Sequence, residues 1–128
     1  MTGDELRAIY RSYIDCLNRQ GWDDLGRFVD EAVEYNDAAV GLGGYRAMLE
    51  GDFRAIPDLR FTIERLVADP PLIASRLAFD CTPRGMLFGL PVDGRRVQFA
   101  ENVFYAFEAG RIRKVWSIID KEAIARQI

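Results

Sequence analysis

Arg96–Asp120 reads RVQFAENVFYAFEAGRIRKVWSIID, two runs rich in β-branched and aromatic residues on either side of Glu108-Ala109-Gly110. This pattern predicts a β-hairpin, with Gly110 supplying the left-handed residue of a three-residue turn. Side chains alternate along a strand, so Phe99, Glu101, Val103, Tyr105 and Phe107 share one face, and Gln98, Ala100, Asn102, Phe104 and Ala106 share the other. A three-residue turn sets Glu101 opposite Ser117, Val103 opposite Val115 and Tyr105 opposite Arg113, with Asn102 facing Trp116 on the far side. Glu101 is then an acid on an otherwise apolar strand face, and the first sign of a site.

The rest of the composition narrows the class. A chain of 128 residues fits one domain, residues 1–128, able to bury roughly two-thirds of its unfolded surface. Hydrophobic residues make up 49% and charged residues 29%, a globular balance that speaks against both a disordered chain and a membrane protein. No apolar run approaches the roughly 20 residues of a transmembrane helix, and MTGDELRAIY has neither a basic nor an apolar leader segment. The expected compartment is cytoplasmic, with no membrane partner. Cys16 and Cys81 lack metal-ligand spacing and read as free thiols in a reducing compartment. The absence of histidine excludes a histidine triad and a histidine metal site, so no metal is expected. A net charge of −3 with scattered basic residues argues against nucleic acid as a partner.

Working outward, Thr2 and Glu5 form a capping box ahead of Leu6, Ile9, Tyr10, Tyr13, Ile14 and Leu17, which recur at helical spacing. Asn18–Gly21 breaks that helix, and Asp23 is positioned to cap a shorter one burying Trp22, Leu25, Phe28 and Val29. A short strand at 32–36 and a Gly/Ala-rich loop at 37–44 precede a helix from Tyr45 to Ile56 that stops before Pro57. Its stripe is Tyr45, Met48, Leu49, Phe53 and Ile56. The period then changes to alternation, predicting strands at 59–67 and 72–81 around Asp69-Pro70-Pro71. Residues 82–95, with Gly85, Gly89, Pro91 and Gly94, read as an ordered connection. Asp120 caps a last helical turn over Lys121–Ile128. Helices first and antiparallel strands after them give an α+β domain with helices on one face of a bent sheet.

The segments YIDCLNRQGWDDLGRFV, GYRAMLEGDFRAIPDLRFTIERLVAD, GMLFGLPVDGRRVQF and FEAGRIRKVWSIID, in this order, resemble the SnoaL-like polyketide or ester cyclase family of the nuclear transport factor 2-like superfamily. The resemblance implies a cone-shaped curved mixed/antiparallel sheet packed against three N-terminal-half helices, a cystatin-like α+β barrel. It also implies a blind apolar pocket for a small hydrophobic molecule and a homodimer through the outer face of the sheet. Cyclases of this kind use a carboxylate, helped by a histidine, to move a proton α to a carbonyl, with no cofactor. In this sequence the cyclase aspartate falls on Ser117 and the histidine near Val103, so both are missing. The steroid isomerases of the superfamily are matched at Tyr13 by a first-helix tyrosine, and their basic aspartate falls on Asn36 or Asp37. Their second acid again falls on Val103.

The residues left to carry chemistry are therefore Glu101, Asn36, Tyr13 and Asp120. Desolvation among Phe99, Val103, Tyr105 and Phe107 raises the pKa of Glu101 and suits it to acid–base work; a purely structural pairing with Arg76 is the alternative. Asn36 ends a strand beside a loop, placed to hold a carbonyl or water, although Asn-Asp is also ordinary turn chemistry. Tyr13 lies on a buried stripe and its hydroxyl needs a partner. Asp120 is explained by helix capping as well as by catalysis. Arg76, Ser117, Tyr35, Tyr105, Phe53 and Trp116 are candidates to bind substrate, with Trp116, Phe104 and Ile118 also fitting core or dimer surface. Cys81 has no histidine to activate it. The expected function is a cyclase, isomerase or lyase acting on a hydrophobic carbonyl or hydroxyl compound. A non-catalytic ligand-binding or dimerisation module is the alternative. An epoxide hydrolase set drawn from Arg76, Asp80 and Glu101 is a third reading.

Overall fold

The computed structural model describes the whole chain, Met1–Ile128. The hairpin is present as β6 (Val97–Glu108) and β7 (Arg111–Ile119), but its turn is tighter than expected. Ala109 and Gly110 form a two-residue connection with φ of 51° and 78°, so Glu108 pairs with Arg111. Such left-handed turns match the twist of the flanking strands, which is why they close hairpins. A bulge then leaves Arg113 unpaired, so that Phe107 faces Ile112 while Ala106 faces Lys114. The bulge lets Ile112 and Val115, an odd number of residues apart, both point inward and be buried. The register expected from a three-residue turn is corrected by two residues: Glu101 lies opposite Ile119, Val103 opposite Ser117, Tyr105 opposite Val115 and Phe104, not Asn102, opposite Trp116. A shift of two preserves the faces. Glu101 and Ser117 become diagonal neighbours on the inner side.

On one side of β6 runs β3 (Leu72–Cys81), with Leu77 opposite Glu101, and β2 (Thr62–Asp69) closes that edge. On the other side β1 (Val29–Tyr35) runs parallel to β7, giving a mixed sheet of order β1-β7-β6-β3-β2. Three helical segments from the first half of the chain lie on its inner face: α1 (Gly3–Asn18), a 3-10 helix (Trp22–Arg27) and α2 (Gly41–Ala55). The architecture is the α+β fold anticipated above.

Local chemistry explains most boundaries. The Thr2 hydroxyl accepts from the Glu5 amide while the Glu5 carboxylate accepts from the Thr2 amide, and the expected stripe of α1 is buried except for half-buried Ile9. Asp23 does not cap the next segment; it lies inside the 3-10 turn, and Gly21 precedes it with no side-chain cap. α2 starts at Gly41 rather than Tyr45, because packing of one face outweighs the poor helix propensity of its glycines. β2 begins three residues later than the alternation implied, and β3 has the expected bounds. In the connection, β4 (Met86–Leu87) and β5 (Leu90–Pro91) form a small ribbon with Phe88 at its tip. Asp120 caps α3 (Lys121–Ala125), accepting from the Ala123 amide at 3.1 Å.

Candidate functional site

Between the helices and the sheet lies a cavity of about 210 Å³, and 17 of its 19 lining residues are hydrophobic. The other two are Glu101, from the centre of β6, and Asp52, from the last turn of α2. Eight of the lining side chains are aromatic, among them Tyr13 of α1, Tyr35 of β1, Tyr45 of α2 and Tyr105 of β6. Phe88, from the tip of the β4–β5 ribbon, completes the rim: it is partly exposed and stacks edge-on against Phe99 at 6.2 Å.

Glu101 is set among these groups because its inward position on β6 leaves it no other direction. Burial raises its pKa, the Ser117 hydroxyl lowers it by donating a hydrogen bond to the carboxylate, and the charge of Asp52 raises it further. Ser117 is its sole hydrogen-bonding partner in the protein. Ser117 is itself fixed from behind. The Asn36 side chain accepts from the Ser117 amide at 2.8 Å and donates to its carbonyl at 3.3 Å, continuing the pairing of β1 with β7 for one residue after the backbone turns away with φ of 47°. Asn36 is thus spent on backbone and acts on Glu101 only through Ser117.

The tyrosines form two pairs. The hydroxyls of Tyr13 and Tyr45 lie 2.7 Å apart, and Tyr10 donates to Tyr105 at 3.2 Å. Burial pushes all four phenols up, so they stay protonated and act as donors rather than anions. Tyr35 is half-buried and its phenol is also raised by burial.

Five other expectations are corrected. Arg76 points to the outer face of the sheet, where it pairs with Glu64 at 3.3 Å and donates to Asn102 at 3.1 Å; inward-facing Leu77 holds the place beside Glu101. Neither the Arg76–Glu101 ion pair nor a role for Arg76 in the cavity survives. Asp80 is bound to Arg96 at 2.7 Å on that same outer face, so Arg76, Asp80 and Glu101 do not converge as an epoxide hydrolase set would. Trp116 lies across from Phe104 outside the cavity, its indole donating to Asp37 at 3.2 Å. Phe53 packs between Trp22 and Phe61 rather than on the cavity wall. Asp120, bound to the amide of Ala123, also lies outside the lining.

Asp52 escaped sequence reading. It occupies the position of the α2 stripe between Leu49 and Ile56, and that spacing is the signal that could have found it. The residue lines the cavity yet is reached by solvent, which places it at the mouth; its apolar surround still pushes the carboxyl up to about 6. It has no ion-pair or side-chain hydrogen-bonding partner. No three cysteine, aspartate or glutamate side chains gather as a metal site would need. The thiol of buried Cys81 is pushed up to about 11 by burial, the wrong direction for a nucleophile.

The fold that encloses this cavity is shared with known proteins. The chain has no match among curated proteins. Among solved structures it is similar to a SnoaL-like polyketide cyclase of Agrobacterium tumefaciens, at 56% identity over 99% of this chain and 98% of that one, with a TM-score of 0.95. TsrD of Streptomyces laurentii shares the fold at 21% identity and a TM-score of 0.86, covering 99% of this chain and 96% of its own. IdmH of Streptomyces antibioticus does so at 16% identity and 0.83, covering 95% and 96%. The family described as SnoaL-like polyketide cyclase matches residues 7–128. With the match spanning both the helices that enclose the cavity and the hairpin that carries Glu101, the chain belongs to the SnoaL-like polyketide cyclase family.

Proposed function

We propose that this protein is a cofactor-independent enzyme of the cyclase or isomerase type that transfers a proton within a small hydrophobic carbonyl or hydroxyl compound. Glu101 is the proton-transfer group. Its carboxylate removes a proton from the carbon next to the carbonyl, negative charge moves to the carbonyl oxygen, and the carboxyl returns the proton at its new position. A phenol of the Tyr13–Tyr45 pair donates a hydrogen bond to the developing oxyanion. Asn36 and Ser117 position the carboxylate.

The observation that carries this reading is a cavity-facing carboxylate whose only partner is a neutral hydroxyl, with no basic side chain to neutralise it. Raising its pKa makes it a stronger base when ionised. The cavity lies below the roughly 300–1,000 Å³ typical of drug-sized ligands, which favours a substrate smaller than a multi-ring polyketide.

Exchange of the α-protons of 2-tetralone in deuterated water, followed by NMR, tests the proposal. The protein is expected to accelerate exchange, and Glu101→Gln is expected to lower that acceleration by about 10²-fold or more. Equal exchange by both proteins contradicts the role of Glu101. Val103 and Ser117, standing where cyclases carry histidine and aspartate, favour a second reading as a ligand-binding module; absence of exchange with the unmodified protein supports it.

We further propose a homodimer formed through the outer face of the sheet, where Phe104 is 59% and Ile118 74% exposed. The two buried free cysteines support residence in the reducing cytoplasm.

A further inference from the structure

The cavity has a charge character that acid–base chemistry at Glu101 does not use. Two carboxyls face it, on opposite walls, one deep on β6 and one at the mouth on α2. None of the 17 lysines and arginines lines it, and the chain has no histidine. Asp52 is the more telling of the two. Twenty acids are present, many of them engaged by arginine, yet this one faces an apolar cavity without any protein partner. The Asp52 carboxylate, open to solvent at the mouth, repels Glu101, and a positive charge brought by a ligand offsets that repulsion. The surrounding rings add to this. Eight aromatic side chains line the cavity, and the faces of Tyr and Phe rings attract cations. One ring already does so, since the Lys121 ammonium sits 5.5 Å from the centre of the Phe88 ring.

We propose that the cavity takes a small aromatic compound bearing a protonated amine, with the ammonium paired to Asp52 at the mouth and the apolar body directed towards Glu101. This rests on the cavity being the ligand site proposed above and adds the charge class of the ligand. Anionic compounds are rejected, because the two carboxyls repel them and no basic side chain lines the cavity to receive them.

The pairing has a pH signature. Desolvation pushes Asp52 up to about 6, whereas the phenols of Tyr13, Tyr35 and Tyr105 on the other walls, and of Tyr45 on α2 itself, are held protonated by burial. Glu101, raised by burial, is the other carboxyl facing the cavity, and the Lys121 ammonium sits over the Phe88 ring at the rim. Protonation of Asp52 therefore weakens amine binding as pH falls, and Glu101 contributes in the same direction.

Isothermal titration calorimetry with 2-phenylethylamine, 2-phenylethanol and phenylacetate tests the proposal on the full chain. The amine is expected to bind about tenfold tighter than the alcohol at about pH 7.5, with no detectable binding of the acid. In Asp52→Asn the amine loses that advantage while the alcohol keeps its affinity, which also reports that the variant is folded. Lowering the pH to about 5 should weaken the amine and not the alcohol. An alcohol that binds as well as the amine, binding of phenylacetate, an amine preference that survives Asp52→Asn, or failure of all three to bind overturns the proposal. Deuterium exchange that depends on Glu101 without an amine preference leaves the catalytic reading standing and removes this one. An amine preference without exchange does the reverse.

Discussion

Glu101 and Asp52 illustrate how differently two acids in one cavity announce themselves. Glu101 interrupts an alternating strand, and alternation is a strict two-residue period, so the face it must occupy follows from its neighbours Phe99 and Val103. Asp52 sits in a helix next to Phe53, and a stripe with a 3.6-residue period admits either one as its apolar edge; packing against Trp22 and Phe61 decided for Phe53 to face away. Both carboxyls have folded-state pKa values above their unfolded ones, so the native state holds more protons in the interval between. Their contribution to stability is complete below the unfolded values and is lost as pH rises through the folded ones. Replacing Glu101 with Gln removes that loss. The melting temperature of Glu101→Gln is expected to exceed that of the unmodified protein by roughly 2–4 °C at about pH 7.5, with the gain shrinking towards about pH 4. A gain that is absent, or larger in acid, argues against a desolvated carboxylate. Asp52→Asn should show its own gain developing between about pH 4 and about pH 6, the interval over which this carboxyl ionises.

At the scale of elements, the hairpin was legible in its strands and faces but not in its register. Gly110 marks a turn, yet nothing local says that Ala109 also adopts a left-handed conformation, with φ of 51°. The compensating bulge was recorded only as two buried residues, Ile112 and Val115, at an odd spacing. Its consequence is functional, because parity restored by the bulge keeps Ser117 on the cavity side where its hydroxyl reaches Glu101. Substituting Gly110 with Ala tests the turn. A Cβ there meets only ordinary contact with Met1 at 3.8 Å, so the cost comes from the backbone conformation at φ of 78° and is expected to be about 1–2 kcal/mol by chemical denaturation. A neutral substitution contradicts the left-handed turn. Arg76 teaches the complementary lesson: an arginine in an apolar strand was open to either face until pairing with β6 set it beside Asn102 on the outside.

For the whole molecule, the order of helices and strands was enough to place the helices over one face of a bent sheet, because α+β chains have few ways to bury both. What covers the other face could not be read, since a single chain shows an apolar surface without its partner. Phe104 and Ile118 stand exposed there, flanked by Val67 at 62%. If that face joins two copies, Phe104→Glu combined with Ile118→Glu shifts the mass measured by light scattering or native mass spectrometry from two chains to one, and leaves the cavity on the opposite face intact. A protein that is monomeric before substitution contradicts the homodimer. The sheet, the helices and the tyrosine pairs all enclose one deep carboxyl, and its titration is the most direct test of the account. Carbon-13 NMR of the protein labelled at glutamate side chains should show one carboxyl titrating above the rest, absent in Glu101→Gln and moved higher still in Ser117→Ala, where the hydroxyl that favours the charged form is gone. Eight glutamates that all titrate in the ordinary carboxylate range would contradict it.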